Sequence, residues 1–350
     1  MFDFEYVGNL HVHSRYSDGT RSIEEIAVAA EGAGLDFVYI NDHEYLAGDL
    51  HAEHEGRYGK VMVFMGHEIG RKDHHYLAFG LKEAVNGDGL PPQEVIDQVK
   101  AKGGLGFLAH PFEKGMPFLE KSRAYTWKDL SVTGFDGICI WNFSSRWKER
   151  VKTPFHGLLF LAFKSQLLKG PSQETLAFWD RLCLERRVSA IGGSDAHGGI
   201  FKWGPIRFTP LSYEFLLNTI NVHLFLHNKV SKDFDSGKKA ILDSMKEGRL
   251  FIAHDGLHPA KGFRFDFVSS DGFSLVMGEE CPFQKGEIVI ECPCSSEIRL
   301  IKNGRPERIW RGREAVYEVL EAGVYRVEVY LRHFLFGWRP WIFSNPIYLR

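Results

Sequence analysis

The chain has 350 residues, of which 44% are hydrophobic and 25% charged, a profile that excludes disordered, collagen-like and coiled-coil proteins. At roughly 150 residues per domain, this length predicts two domains. A formal net charge of −2 leaves no global basic field to hold nucleic acid or an anionic membrane, so a small-molecule partner is expected.

Residues 6–13 read as a strand. Ser22-Ile23-Glu24-Glu25 is a capping box that starts a helix ending near Gly32 or Gly34. Strands are predicted over 35–41, 61–66 and 75–80, then a helix over 92–102 stopped by Gly103-Gly104. Further strands follow over 105–109 and 137–141. The stretch 144–187 reads as a mostly helical insertion broken at Gly170-Pro171. A strand over 188–192, helical stretches over 213–227 and 236–247, and a short strand over 250–253 complete the first part. Strands alternating with helices imply βαβ units and a parallel sheet. After Pro259 the texture changes to strands over 263–267, 287–291, 297–302, 324–331 and 341–349, with a hairpin signal at Asn303-Gly304. The expected division is therefore 1–258, an α/β domain, and 259–350, a β-rich domain of antiparallel sandwich type.

Five cysteines, an odd number with no C-x-x-C pair, read as free thiols in a reducing compartment. The start of the chain lacks the basic and apolar regions of a signal peptide, and the most apolar later stretch, 157–168, is too short to span a bilayer. The expected location is cytoplasmic. Oligomeric state is not legible.

Nine of the 16 histidines lie at or before residue 110, so their positions matter. The first strand ends in His11-Val12-His13, the second in Asn41-Asp42-His43 and the third in His67-Glu68. Later strands end in His110-Pro111, Trp141-Asn142 and Ser194-Asp195-Ala196-His197. Strand ends of a parallel α/β barrel converge on one face, which would bring these groups together as a metal site. His11 and His13, two apart on a strand, share a face. Taken singly, Asp18 in Ser17-Asp18-Gly19 reads equally as a turn residue, and Asp195 as a helix N-cap.

The whole set resembles the polymerase-and-histidinol-phosphatase (PHP) superfamily of metal-dependent phosphoesterases. The matching residues are Asn9-Leu10-His11-Val12-His13, Ser17-Asp18-Gly19, Asn41-Asp42-His43, Gly66-His67-Glu68, His75, Ala109-His110-Pro111 and Ser194-Asp195-Ala196-His197, in the family's order. Gly192-Gly193-Ser194-Asp195-Ala196-His197 and the terminal 339–348 segment resemble the branch named after carbaryl hydrolase, whose members carry a C-terminal β-rich domain. The resemblance implies a distorted (β/α)7 barrel holding two or three divalent ions on His11, His13, Asp18, His43, Glu68, His75, His110, Asp195 and His197. It makes Glu68 the bridging carboxylate. It favours His75 over His74, because the family's histidine stands five residues before a glycine, here Gly80. His67 is then a packed neighbour. Two departures stand out: Asn9 where the family usually has Asp, and Cys139 where it often has Glu.

Mixed nitrogen and oxygen ligands suit zinc, manganese or iron. A metal-bound hydroxide is the expected nucleophile, since no Ser or Cys sits in a nucleophile elbow. Arg71, Lys72, Arg146, Lys202 and Arg207 follow strand ends or occupy nearby loops, and each reads either as a phosphate-binding cation or as a solvated charge. Arg146 is the chosen substrate-binding candidate. His254 reads as a proton donor or as part of a polar loop. Trp141 and the 144–187 helices read as an apolar lid or as a helix face against the barrel. The leading expectation is a hydrolase of small phosphoesters. The alternative is a carbamate, amide or ester hydrolase of the same fold, and a third reading is a non-catalytic metal-binding interaction module.

Overall fold

The computed structural model describes residues 4–117, 124–203 and 206–350. The first strand, β1 (Phe4–Val12), leads into α1 (Ile23–Gly32), where Ser22 Oγ accepts from the Glu25 N–H and Glu25 Oε2 accepts from the Ser22 N–H. Both free donors at the helix start are thus satisfied, while Ile23, Ile26, Ala27 and Ala30 bury the opposite face. Then come β2 (Phe37–His43), α2 (Glu44–Ala47), β3 (Gly56–Tyr58), β4 (Val61–Ile69), β5 (Tyr76–Phe79), α3 (Pro92–Ala101) and β6 (Leu105–Leu108). Every residue of β2 and β4 is buried, as expected of apolar strands covered on both faces.

β7 (Gly137–Asn142) opens the second half. The helical insertion follows as α4 (Phe143–Lys148), α5 (Pro154–Ala162) and α6 (Gln173–Glu185), and leads to β8 (Ser189–Gly193). After it lie the hairpin β9 (Phe201–Trp203) and β10 (Ile206–Phe208), α7 (Tyr213–Leu216), β11 (Ile220–Leu226), α8 (Phe234–Glu247) and β12 (Leu250–His254). The remainder is all strand: β13 (Arg264–Ser269), β14 (Ser274–Val276), β15 (Glu280–Cys281), β16 (Gly286–Lys302), β17 (Arg305–Val319), β18 (Gly323–His333), β19 (Gly337–Ser344) and β20 (Ile347–Leu349).

The result is a mixed α/β protein with one large sheet. β1 pairs parallel with β2 and β2 with β4, β5 pairs antiparallel with β4 and β6, and β6, β7 and β8 are parallel. The sheet is open. Among the described residues β8 and β1 share no ladder and meet through the isolated bridge between Val12 and Ala196, with the Asp195 N–H donating to the His11 carbonyl at 2.8 Å. Gly193 permits that approach, since a Cβ there would stand 2.8 Å from the Cβ of His11.

One expectation changes. The helix read over 213–227 stops at Leu216, and residues 220–226 form β11, antiparallel to both β1 and β12. Ile220, Val222 and Leu224 alternate with polar side chains, and a strand fills the slot between those neighbours. The C-terminal strands continue the same sheet: β12 pairs antiparallel with β19, and so joins the ladder that runs through β18, β16 and β13. Asn345 reinforces the seam, accepting from the Ala190 N–H at 2.7 Å and donating to the carbonyls of Ala190 and Leu250 at 2.8 and 3.0 Å. The buried apolar side chains still fall into two clusters, one around the first eight strands and α1, the other around Phe265, Ile288, Val327 and Trp341. No described helix is long and apolar enough to cross a membrane.

Candidate metal centre

The register of the first strands sets the geometry. His43 is paired with Glu68 across β2 and β4, which stations a carboxylate and an imidazole side by side at the strand ends. His11 and His13 project from the end of β1 onto the same place. Glu68 is the hub. Its Oε1 accepts from His75 Nδ1 at 2.9 Å and His110 Nε2 at 3.1 Å. Its Oε2 lies 3.2 Å from Nε2 of both His11 and His13, and 3.6 Å from His43 Nδ1. One buried carboxylate therefore faces five imidazoles.

Asp195 and Asp18 extend the cluster. Asp195 Oδ1 lies 3.5 Å from His11 Nε2 and 3.3 Å from His13 Nε2. Asp18 sits at the solvent edge, 3.2 Å from His197 Nε2, 3.6 Å from His13 Nδ1 and 3.7 Å from His43 Nε2. His197 Nδ1 donates to the Asp195 carbonyl at 3.0 Å, so its Nε2 lone pair faces the cluster. Two of these residues hold strained backbones: Asp195 has φ 54° and His110 φ 28°, conformations that non-glycine residues occupy mainly where surrounding structure compels them.

These residues suit divalent metal ions. Three overlapping groups have donor atoms within 4.8 Å of one another: His13, Asp18, His43 and His197; His11, His13, Glu68 and Asp195; and His43, Glu68 and His75. Nε2 of His11 and Nε2 of His13 are only 3.1 Å apart, close to the roughly 3.0–3.4 Å between two imidazole nitrogens on one ion with bonds of about 2.0–2.1 Å. His43 Nδ1 and His75 Nε2 are buried without a hydrogen-bond partner. Neighbouring charges set the protonation: against burial, Asp195 and Glu68 raise the His13 pKa well above the usual imidazole value, and Glu113 and Glu68 raise His110 to about 10. Burial works to raise the pKa of Glu68, but the facing His75 and His11 hold it well below the carboxylate range. Asp195 is likewise held down against burial by His11 and His197. Burial pushes His43 down to about 3, which keeps its imidazole neutral.

All nine expected positions converge here. His74 does not: its Nδ1 contacts Asp73 at 2.8 Å and its Nε2 accepts from the Lys128 N–H at 3.0 Å, facing away from Glu68. His67 turns to the other face of β4 and donates to the Asp49 carbonyl at 3.1 Å. Asn9 supports no imidazole. Its amide nitrogen donates to Ile220 and Asn221, and its oxygen accepts from Ser194, so it ties β1 to β11 and to the Asp195 loop. Cys139 is buried and its thiol is pushed up to about 12, which leaves it inert.

Beside the cluster opens a cavity of about 710 Å³, walled by Tyr45, Met116, Tyr125, Trp147, Leu211 and Leu216 as well as by the cluster's own side chains. Two of its polar residues escape notice in the sequence. Glu113 Oε2 lies 3.0 Å from His110 Nδ1, a contact that directs His110 Nε2 toward Glu68; its signal is a carboxylate three residues after a strand-end histidine. Lys148 is the one Lys or Arg lining the cavity among the described residues.

Other expected participants lie elsewhere. Arg146 points away, donating from Nε to the Gly170 carbonyl at 3.0 Å and pairing with Glu149, because positions 146 and 148, two apart on a helix, face different sides. Arg71 stacks over Tyr45 at 5.5 Å and faces Asp88, Lys72 lines a separate loop cavity, and Arg207 is exposed. The Lys202 side chain lies outside the described residues. His254 is no proton donor to this cavity: it is buried edge-on to Trp141 and Phe143 with neither ring nitrogen bonded, and burial pushes it down to about 4. Trp141 is likewise buried, donating to the Lys169 carbonyl, and it is Trp147 that walls the cavity.

No family model matches the chain. An uncharacterized protein of Methanocaldococcus jannaschii is 28% identical over 115 residues, which span 30% of this chain and 67% of that protein. An amidohydrolase from Chromobacterium violaceum, solved with sulfate and no metal, covers 58% of this chain and 98% of its own at 16% identity and a TM-score of 0.32. A two-domain protein from Bacteroides vulgatus, described as containing a predicted PHP-like metal-dependent phosphoesterase, matches 98% of this chain and 95% of its own at 14% identity and a TM-score of 0.46.

Proposed function

We propose that this protein is a metal-dependent hydrolase of small phosphoesters, with a distorted PHP-type barrel over 1–258 and a β-rich domain over 259–350. The observation that carries this reading is Glu68, whose two oxygens each face a different set of imidazoles within 2.9 to 3.6 Å. Such a hub suits two or three divalent ions held by His11, His13, Asp18, His43, Glu68, His75, His110, Asp195 and His197. Bound there, zinc, manganese or iron would acidify water and offset negative charge at the attacked centre.

The chain's own groups do the rest. Glu113 orients His110, and the Asp195 carbonyl orients His197. Lys148, at the cavity wall near Glu113, takes the place of Arg146 as the cation that meets an anionic substrate. Ser144 also lines the cavity, but its hydroxyl donates to the carbonyls of Ser194 and Asp195 at 3.0 and 2.8 Å, so it is held as a structural donor and not poised for attack. Water is therefore the nucleophile, and no covalent enzyme intermediate forms.

The aromatic wall of Tyr45, Tyr125 and Trp147, with a single lysine, also suits a carbamate, amide or ester bearing an aryl group. Metal content of protein purified without added metal, followed by parallel phosphoester and aryl carbamate or ester panels with that metal restored, separates the two. Release of phosphate that a chelator abolishes supports the phosphoester reading. Turnover confined to carbamates or esters replaces it, and a metal-free protein inert to both panels overturns hydrolysis altogether.

A further inference from the structure

Between the α4–α6 segment and β18–β19 lies a second cavity, of about 630 Å³, that shares no residue with the metal cluster. Six cations line it, Lys114, Arg146, Arg150, Lys152, Lys169 and Arg339, against two carboxylates, Glu149 and Glu174. Both carboxylates are taken: Glu149 pairs with Arg146, and Glu174 with Lys114 at 2.7 Å. Among the described residues Arg150, Lys152, Lys169 and Arg339 have no carboxylate partner.

Lys152 and Lys169 are exposed, whereas the two arginines are partly buried in the cavity wall. Arg150 Nε is buried with nothing to bond. Arg339 is half-buried and held in place by donating to the carbonyls of Trp338 and Gln166 at 3.0 and 3.3 Å. Arg150, then burial, Arg146, Arg339 and Lys152 press the Lys169 pKa below the usual lysine value, the mark of like charges crowded together. A cavity lined by six cations and two carboxylates keeps a net positive charge that attracts anions, and guanidinium forks match phosphate oxygens. Tyr330 and Trp338 form an aromatic wall beside the cations.

We propose that this cavity binds a multivalent phosphate, either inorganic or carried by a small organic molecule, at a site separate from the metal centre and independent of what that centre hydrolyses. The test is calorimetric titration of the full-length protein with pyrophosphate and with ADP. Lys152 and Lys169 are exposed, so reversing both charges (K152E/K169E) leaves the core untouched. The proposal expects that double variant to weaken pyrophosphate binding about 100-fold, two charged contacts being lost. It expects R150Q to weaken binding also, and His197→Ala, which disturbs only the metal centre, to leave it unchanged. ADP binding tighter than pyrophosphate, with the difference removed by Trp338→Ala, identifies an organic phosphate; equal affinities identify phosphate alone. No binding at millimolar pyrophosphate, or binding lost in His197→Ala and unchanged in K152E/K169E, overturns the proposal.

Discussion

Replacing Glu68 by Gln is the sharpest perturbation of the proposed metal centre, because it removes one charge and changes little shape. The carboxylate serves His75 and His110 with one oxygen and His11, His13 and His43 with the other. An amide can still accept on one side, but on the other it presents N–H donors to imidazoles whose lone pairs are needed for metal. Loss of an outer group that only orients a ligand costs about 10–100-fold in metal affinity. Loss of a direct ligand should cost at least about 100-fold, or about 2.7 kcal/mol, for each ion it serves. Two ions sharing Glu68 would together lose about 5 kcal/mol. The assay is metal per chain after dialysis against a competing chelator, with thermal unfolding in parallel. Glu68→Gln should lose more than one equivalent and most of the metal-dependent rise in melting temperature. His197→Ala, at the solvent edge beside Asp18, should lose no more than one. Wild-type metal content in Glu68→Gln would refute the idea that this carboxylate bridges ions, whatever the activity.

Three further outcomes follow from particular contacts. Glu113→Gln should lower metal affinity about 10–100-fold while preserving the fold, since it frees the His110 ring to rotate; unchanged metal retention in competition dialysis would remove Glu113 from the centre. Asn345→Ala should destabilise the protein by about 1–3 kcal/mol in urea unfolding, because it leaves the buried Ala190 N–H without its acceptor and takes the amide donor from the Ala190 carbonyl, while the Leu250 carbonyl keeps the Asn345 backbone N–H. A loss below about 0.5 kcal/mol would show the seam is held elsewhere. Burial would lower the His223 pKa, but Asp255 and Glu5, which sandwich the ring, raise it to about 9. The folded state therefore holds this proton more tightly than the unfolded chain, whose histidine titrates near about 6.5. That stabilisation is complete below about pH 6.5 and is lost as pH rises through about 9, by at most about 3 kcal/mol. Stability of His223→Gln should consequently fall less than that of wild type between those limits, and parallel curves would contradict the assignment.

How much of this was legible without coordinates depends on the range over which each feature is determined. The capping box at Ser22 and Glu25 and the strands read over 35–41 and 61–66, which the structure carries to His43 and Ile69, follow from local pattern, because helix caps and strand faces are set by residues within a few positions of one another. Most of the cluster positions were legible for a related reason: His11, His13, His43, Glu68, His110, Asp195 and His197 stand at or just past the ends of locally readable strands, whereas Asp18 in a turn and His75 ahead of β5 were read from the family resemblance. The choice of His75 over His74 likewise rested on a spacing, and the backbone turn at His74, with φ 58°, is what physically separates the two rings.

Tertiary structure decided the rest. Residues 220–226 carry a pattern that suits either element, and only the empty slot between β1 and β12 made them a strand. The sequence singled out Arg146 and passed over Lys148, yet the rotation of α4 against the sheet sends Arg146 to Glu149 and Lys148 to the cavity wall. His254 read either as a proton donor or as part of a polar loop, but Trp141 and Phe143, distant in sequence, enclose it and burial keeps it neutral. Hydrogen bonding across β12 and β19 joins the two halves of the chain into one sheet, a pairing of residues about ninety positions apart that no local pattern encodes. Local propensity and strand-end chemistry are written in neighbouring residues, whereas side-chain direction, burial of a single ring and strand partnership depend on which distant surfaces come to lie against them.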